Sequence, residues 1–176
     1  MACACSTAIS PRTTKAERAG KKEGQGSLPR VVFYRLTRDP VERVLPALAT
    51  RILGNGDRLL VVAASAMQRQ AIDEALWTLT PASFLPHGHA GSPDEAIEPI
   101  LIAGTLDPSP PNRATLLALA DGEWREQALG FERTFLLFDN SRIDDARALW
   151  RTLAAREDID NRFWKQDEGG RWSEGP

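Results

Sequence analysis

Leu59-Leu60-Val61-Val62-Ala63-Ala64, closed by Ser65, is an unbroken apolar run near the middle of the domain. It carries no polar side chain, so it does not alternate as a half-wetted strand would. A run of this kind is expected of a central strand covered on both faces. The segments on either side supply the cover. Upstream, Asp39 is placed to cap a helix with Pro40 at its first position. Val41, Val44, Leu45, Leu48 and Ile52 then recur at helical spacing, and Gly54-Asn55-Gly56 ends the helix in a left-handed turn. Downstream, Ser65 caps a second helix, with Met67, Ile72, Leu76 and Leu79 predicted to face inward and Ala71 and Ala75 at close contacts.

Val31-Val32-Phe33-Tyr34-Arg35-Leu36 is a short apolar, β-branched run and reads as the first strand. A loop is predicted from Pro81 to Ala96. Two further strands follow at Pro99 to Ala103 and Thr115 to Leu119, joined by a turn containing Pro108, Pro110 and Pro111. Trp124 sits in a connector, Phe131 to Phe138 is another strand, and Asp139 to Ala155 is a long amphipathic helix. Strands separated by helices require parallel crossovers. The expected fold is therefore α/β: a three-layer domain with a mostly parallel central sheet flanked by helices. Residues 29–165 form this domain. Residues 1–28, rich in Ser, Thr, Gly, Lys and Arg, are expected to be a disordered basic extension, and 166–176 a flexible tail.

Composition narrows the function. The 22 basic and 24 acidic residues nearly cancel, and a net charge of -2 argues against binding DNA by bulk electrostatics. The only cysteines, Cys3 and Cys5, fall in the N-terminal extension and read as inert there. A cysteine-free core suits a reducing compartment. With no apolar run of about 20 residues and no signal-peptide stretch, the expected location is the cytoplasm.

The motifs of catalysis are missing. There is no phosphate loop of the G-x-x-x-x-G-K-[ST] type, and no G-x-G-x-x-G after the first strand, which leads instead into Thr37-Arg38-Asp39-Pro40. The two histidines stand in Pro86-His87-Gly88-His89, but a metal site needs a third or fourth ligand. The carboxylates nearest in sequence are Asp94 and Glu95. No G-x-S-x-G elbow occurs. Asp73-Glu74 and Asp144-Asp145 are adjacent on helices, point apart, and read as solvated faces. No catalytic residue, metal or cofactor is expected.

Aromatic residues offer more. The chain has five tryptophans and one tyrosine. Trp77 ends the second helix and Phe84 lies in the loop after it. At roughly 100° per residue, Ala146, Leu149 and Leu153 form the inward stripe of the last helix, with Trp150 at its edge. Arg147 and Arg151 lie further round on the same side. Such a boundary suits an apolar side chain in a pocket and a carboxylate in a charged fork. It equally suits a core tryptophan beside a solvated helix face, and periodicity leaves both readings open.

Ile72-Asp73-Glu74-Ala75-Leu76-Trp77, then Ser83-Phe84-Leu85-Pro86-His87 and Ala90-Gly91, resembles the chi subunit family of bacterial DNA polymerase III. Pro110-Pro111-Asn112-Arg113, Phe131-Glu132-Arg133 and the pairs Ala146-Arg147 and Trp150-Arg151 continue the likeness in register over about residues 30–165. The resemblance implies a non-catalytic accessory subunit that binds the acidic C-terminal tail of single-stranded DNA-binding protein. That tail ends in an Ile-Pro-Phe-type sequence with a free carboxylate. Binding it tethers the replicase and its clamp loader to coated DNA. In members that possess it, a psi subunit links chi to the clamp loader, and partnership with a repair helicase is also known in the family. Trp77, Phe84, Phe138, Arg147, Trp150 and Arg151 match positions the family uses for tail binding, with Arg147 first choice for the carboxylate. Two departures are visible. Ile143 stands where some members carry lysine, and His89 where an apolar residue is usual. Two alternatives remain for the same fold class: a nucleotide-binding α/β enzyme, and direct single-stranded DNA binding through the basic extension and exposed tryptophans.

Overall fold

Every residue of β2 (Leu59–Val62) is buried, as is every residue of its neighbours β4 (Ile100–Ala103) and β5 (Leu116–Leu119). These strands form the centre of a computed structural model that describes residues 28–78 and 85–175. The remaining strands are β1 (Arg30–Arg35), β3 (His87–His89), β6 (Arg133–Phe138), β7 (Asp160–Gln166) and β8 (Trp172–Glu174). The helices are α1 (Val41–Gly54), α2 (Ala66–Thr78) and α3 (Ile143–Ala154). One sheet of eight strands runs in the order β3-β4-β2-β5-β6-β1-β7-β8. All neighbours pair in parallel except β7 and β8. The fold is α/β, with a mostly parallel central sheet flanked by helices.

Burial divides by face. Leu45, Ala49 and Ile52 of α1 and Ile72 and Leu76 of α2 pack with Val32, Val61 and Ile100 on one side. Ala146 and Leu153 of α3 pack with Val31, Phe33, Leu60 and Leu136 on the other. The strand period of two thus sends alternate residues of β1 into different cores. Burying a side chain as large as the fully enclosed Phe33 contributes up to about 3 kcal/mol. Among the described residues no helix is long and apolar enough to cross a membrane.

Element ends follow local chemistry, with corrections. Gly56 takes φ +82 after α1, and its N–H and that of Asn55 return to Leu53 and Ile52, closing the helix as its glycines predict. Ser65 Oγ accepts from Gln68 N at 3.4 Å at the start of α2. Asp39, by contrast, caps nothing. Pro40 is the cap residue, and the Asp39 carboxylate accepts from Gln166 Nε2 at 2.6 Å. Met67, predicted to face inward, is 82% exposed, because the buried stripe of α2 begins more than a turn later, at Ile72 and Leu76. Leu79 lies outside the described residues. The last helix is preceded by a 3-10 turn at Asn140–Arg142, where Asp139 accepts from Ser141 N.

Three strands were not foreseen. β3 lies inside the predicted loop, short and built on Gly88. β7 runs parallel to β1 over Arg30↔Asp160 to Arg35↔Lys165. The stretch expected as a flexible tail from residue 166 holds the end of β7 and β8, paired antiparallel through Gln166↔Trp172. Asp160-Asn161-Arg162-Phe163-Trp164-Lys165-Gln166 hides its strand because Gln166 is buried as a polar residue. Its Oε1 accepts from the N–H of Arg38 and Asp39, tying the C-terminal region to the β1–α1 turn.

Candidate functional site

The edge of α3 is the best-formed candidate. Trp150, half-buried, packs edge-on against Phe33 of β1 (5.3 Å, 79°) and Phe163 of β7 (5.8 Å, 88°). Phe138, buried at the end of β6, closes the cluster at 6.4 Å from Phe33 and 6.2 Å from Phe163. Edge-to-face packing of this kind is favourable beyond burial alone, so the rings make a rigid floor. Arg147 and Arg151 stand exposed one turn apart on the same flank. Arg147 Nη1 reaches Asp144 Oδ1 only at 3.5 Å, between side chains 64% and 91% exposed. An exposed pair of that length holds the arginine weakly. Arg151 Nε donates to the Arg147 carbonyl at 3.3 Å and meets no carboxylate among the described residues.

Two more cations border this floor, and reading the sequence missed both. Arg35 and Lys165 are register partners on β1 and β7, each two residues beyond Phe33 and Phe163 and so on the same face. Arg35 is anchored by two hydrogen bonds to Asn140 Oδ1 (3.0 and 2.9 Å). Lys165 has no ion pair among the described residues. Where Ile143 removes a cation from α3, the strands beneath supply two. The signal for Phe33 and Arg35 was the i, i+2 alternation of the first strand. For Phe163 and Lys165 it was hidden with β7 itself.

Trp77 is not part of this cluster. It lies 54% exposed at the end of α2 and packs on His87 at 5.2 Å. α2 and α3 occupy opposite faces, and β3 stands five places from β1 in the sheet. At about 4.8 Å per strand that is roughly 24 Å. A single pocket uniting Trp77 with Phe138, Arg147, Trp150 and Arg151 is therefore corrected to two separate surfaces, because the sheet itself stands between them. Phe84 lies outside the described residues.

The histidines have a partner that sequence distance concealed. His87 Nδ1 is 2.7 Å from the Leu85 carbonyl, which can only accept, so Nδ1 donates. Its Nε2 lies 3.1 Å from Asp73 Oδ1, and His89 Nε2 lies 3.0 Å from the same oxygen. Asp73, read as a solvated helix residue, thus docks β3 against α2. No group of three or more His, Cys, Asp and Glu is placed to hold a metal ion among the described residues.

At the carboxyl ends of β1 and β6 opens a cleft of about 410 Å³, where an α/β fold commonly binds nucleotides. Its lining argues against a phosphate. Asp39, Asp121 and Asp139 all face it. Burial pushes the Asp121 carboxyl up, but the bidentate Arg125 (2.9 and 2.7 Å) and the N–H groups of Glu123 and Ala64 more than offset this and hold it below the usual range. Asp139 is likewise lowered, chiefly by its bond from the Ser141 hydroxyl. Arg142 at the rim is held by Glu123 at 2.7 Å. Four carboxylates line the cleft (Asp39, Glu42, Asp121 and Asp139) against two cations, the exposed Arg38 and the Glu123-held Arg142, and that balance repels a polyanion.

The family model described as DNA polymerase III chi subunit, HolC, matches residues 28–168 of the chain. No curated protein matches it.

Proposed function

From the premise that the chain belongs to the DNA polymerase III chi subunit family, we propose that it is a non-catalytic adaptor for the acidic C-terminal tail of single-stranded DNA-binding protein. The α3 edge is its working surface. The observation that carries this reading is a half-buried Trp150 on the Phe33–Phe163 floor with two guanidiniums a turn apart beside it. A terminal phenylalanine is accommodated against the ring cluster. Arg147 receives the terminal carboxylate, and a forked, charge-assisted contact suits that group. Arg151, Arg35 and Lys165 face the acidic residues upstream. Holding this tail tethers the polymerase and its clamp loader to coated DNA. A psi subunit and a repair helicase are the further partners the family suggests.

Binding is expected to be micromolar and to weaken with salt, since few contacts are buried and the charges are exposed. Titration of the full chain with a labelled tail peptide, with and without its last residue, tests the assignment. Loss of the terminal Phe, or Arg147→Ala, is expected to weaken binding at least about tenfold, the worth of one charged hydrogen bond. Undiminished affinity after either change rules the pocket out.

A further inference from the structure

We propose that the open half of the sheet beside α1 is a second docking groove, one that takes an acidic protein segment carrying a bulky apolar side chain. The groove lies on the face opposite α3 and does not depend on how the α3 edge is read. It exists for a geometric reason. Eight strands at about 4.8 Å spacing span more than about 33 Å, whereas two helices of about 10–12 Å diameter cover little more than 20 Å. α1 and α2 are the helices on this face, so its β1–β7–β8 margin stays open.

Two cavities, of about 210 and 260 Å³, lie along that margin and share Tyr34 and Trp164. Trp172 of β8 and Leu48 of α1 wall the first, and Phe135 floors the second. Each is smaller than the roughly 300 Å³ at which small-molecule and cofactor sites begin. Their continuity suits a chain laid across both, with one side chain entering.

The chemistry of the walls selects the chain. Arg51 lines one cavity and Arg133 the other, and neither has an ion pair among the described residues. Arg30 and Arg162, by contrast, are held by Asp160 and Glu174 at 2.6 to 3.2 Å. The indole N–H groups of Trp164 and Trp172 also meet no acceptor among the described residues. Tyr34 lines both cavities, with Arg51 in one and Arg133 in the other; burial raises its phenol above the ordinary value, while both arginines pull it down. A groove that offers cations and N–H donors over an apolar floor is complementary to carboxylates around an apolar side chain. Nucleic acid fits less well. Tyr34 meets Trp172 edge-on at 5.1 Å and 84°, so these two half-buried rings do not lie side by side as a platform for successive bases.

The test uses the full chain and a fluorescent peptide in which a Leu-Phe pair is flanked by glutamates, capped at both ends. Having no free carboxyl terminus, the peptide cannot satisfy the α3 edge as a chain end would. Anisotropy titration is expected to show salt-sensitive binding that Arg51→Glu with Arg133→Glu weakens at least about tenfold, that Arg51→Gln weakens less, and that Arg147→Ala leaves unchanged. A lysine-flanked version is expected not to bind. The proposal is overturned by absence of binding, by affinity indifferent to both Arg51 and Arg133, by dependence on Arg147, or by an oligothymidylate that competes the peptide away.

Discussion

At the scale of the residue, several polar side chains do structural work that their neighbours in sequence do not announce. Asn112 is wholly buried, donates to the Leu59 and Glu98 carbonyls, and accepts from Ala114 N. The Pro110-Pro111-Asn112-Arg113 motif is thereby pinned to the start of β2. Asp121 does the same at the other end of the strands, joining Ala64 after β2 to Arg125 in the β5–β6 connection. Replacing Asp121 by Asn removes a charge from a largely enclosed pair and leaves Arg125 only the more distant Glu123 carboxylate, at 3.8 Å. The expected cost is about 2 kcal/mol at neutral pH. Because the folded carboxyl is held below its usual value, its contribution is complete above the unfolded value of about 4. The contribution is lost as pH falls through the lower, folded one. Urea melts of wild type and Asp121→Asn should therefore differ most near neutrality and converge in acid; a gap that widens in acid contradicts this account.

At the scale of the element, legibility tracked how dry each element is. β2, β4 and β5 were readable because both faces are covered and every residue is apolar. α1 was readable from its apolar stripe and terminal glycines. β7 and β8 were not, because β7 alternates buried Phe163 on one face with exposed Arg162 and half-buried Trp164 on the other. β8 presents only Trp172 to the interior. The candidate site shared that fate. Arg147, Trp150 and Arg151 were visible on one amphipathic helix, whereas Phe163 and Lys165 lay on the strand that composition disguised. β8 also makes a measurable contribution. Trp172 covers Tyr34, the only tyrosine in the chain, and burial is the main reason that phenol titrates above its ordinary value of 10.0. Trp172→Ala opens that cover. Tyrosinate absorbance should then titrate at lower pH than in wild type, and an unchanged midpoint would mean that β8 does not shield the ring.

At the scale of the whole molecule, the sheet acts as a partition. Among the described residues, cations without an ion pair stand beside Trp150 on one face and around Tyr34 on the other, with Arg38 and Arg113 further such cations at the ends of the strands. Trp77 and His87 sit apart from both, at the β3 edge. Separation by roughly 24 Å of packed strands leaves no shared contact through which Trp77 and Arg147 can influence each other, and changes at distant sites add. Tail-peptide affinity should fall with Arg147→Ala and stay level with Trp77→Ala, and the double variant should match Arg147→Ala alone. A double variant weaker than that, or a loss with Trp77→Ala by itself, would show that the tail crosses the sheet edge to reach α2. The salt response adds an independent check. If the tail is read only at the α3 edge, neutralising Arg147 should flatten the dependence of affinity on ionic strength, and neutralising Arg51 on the opposite face should leave it as steep as in wild type.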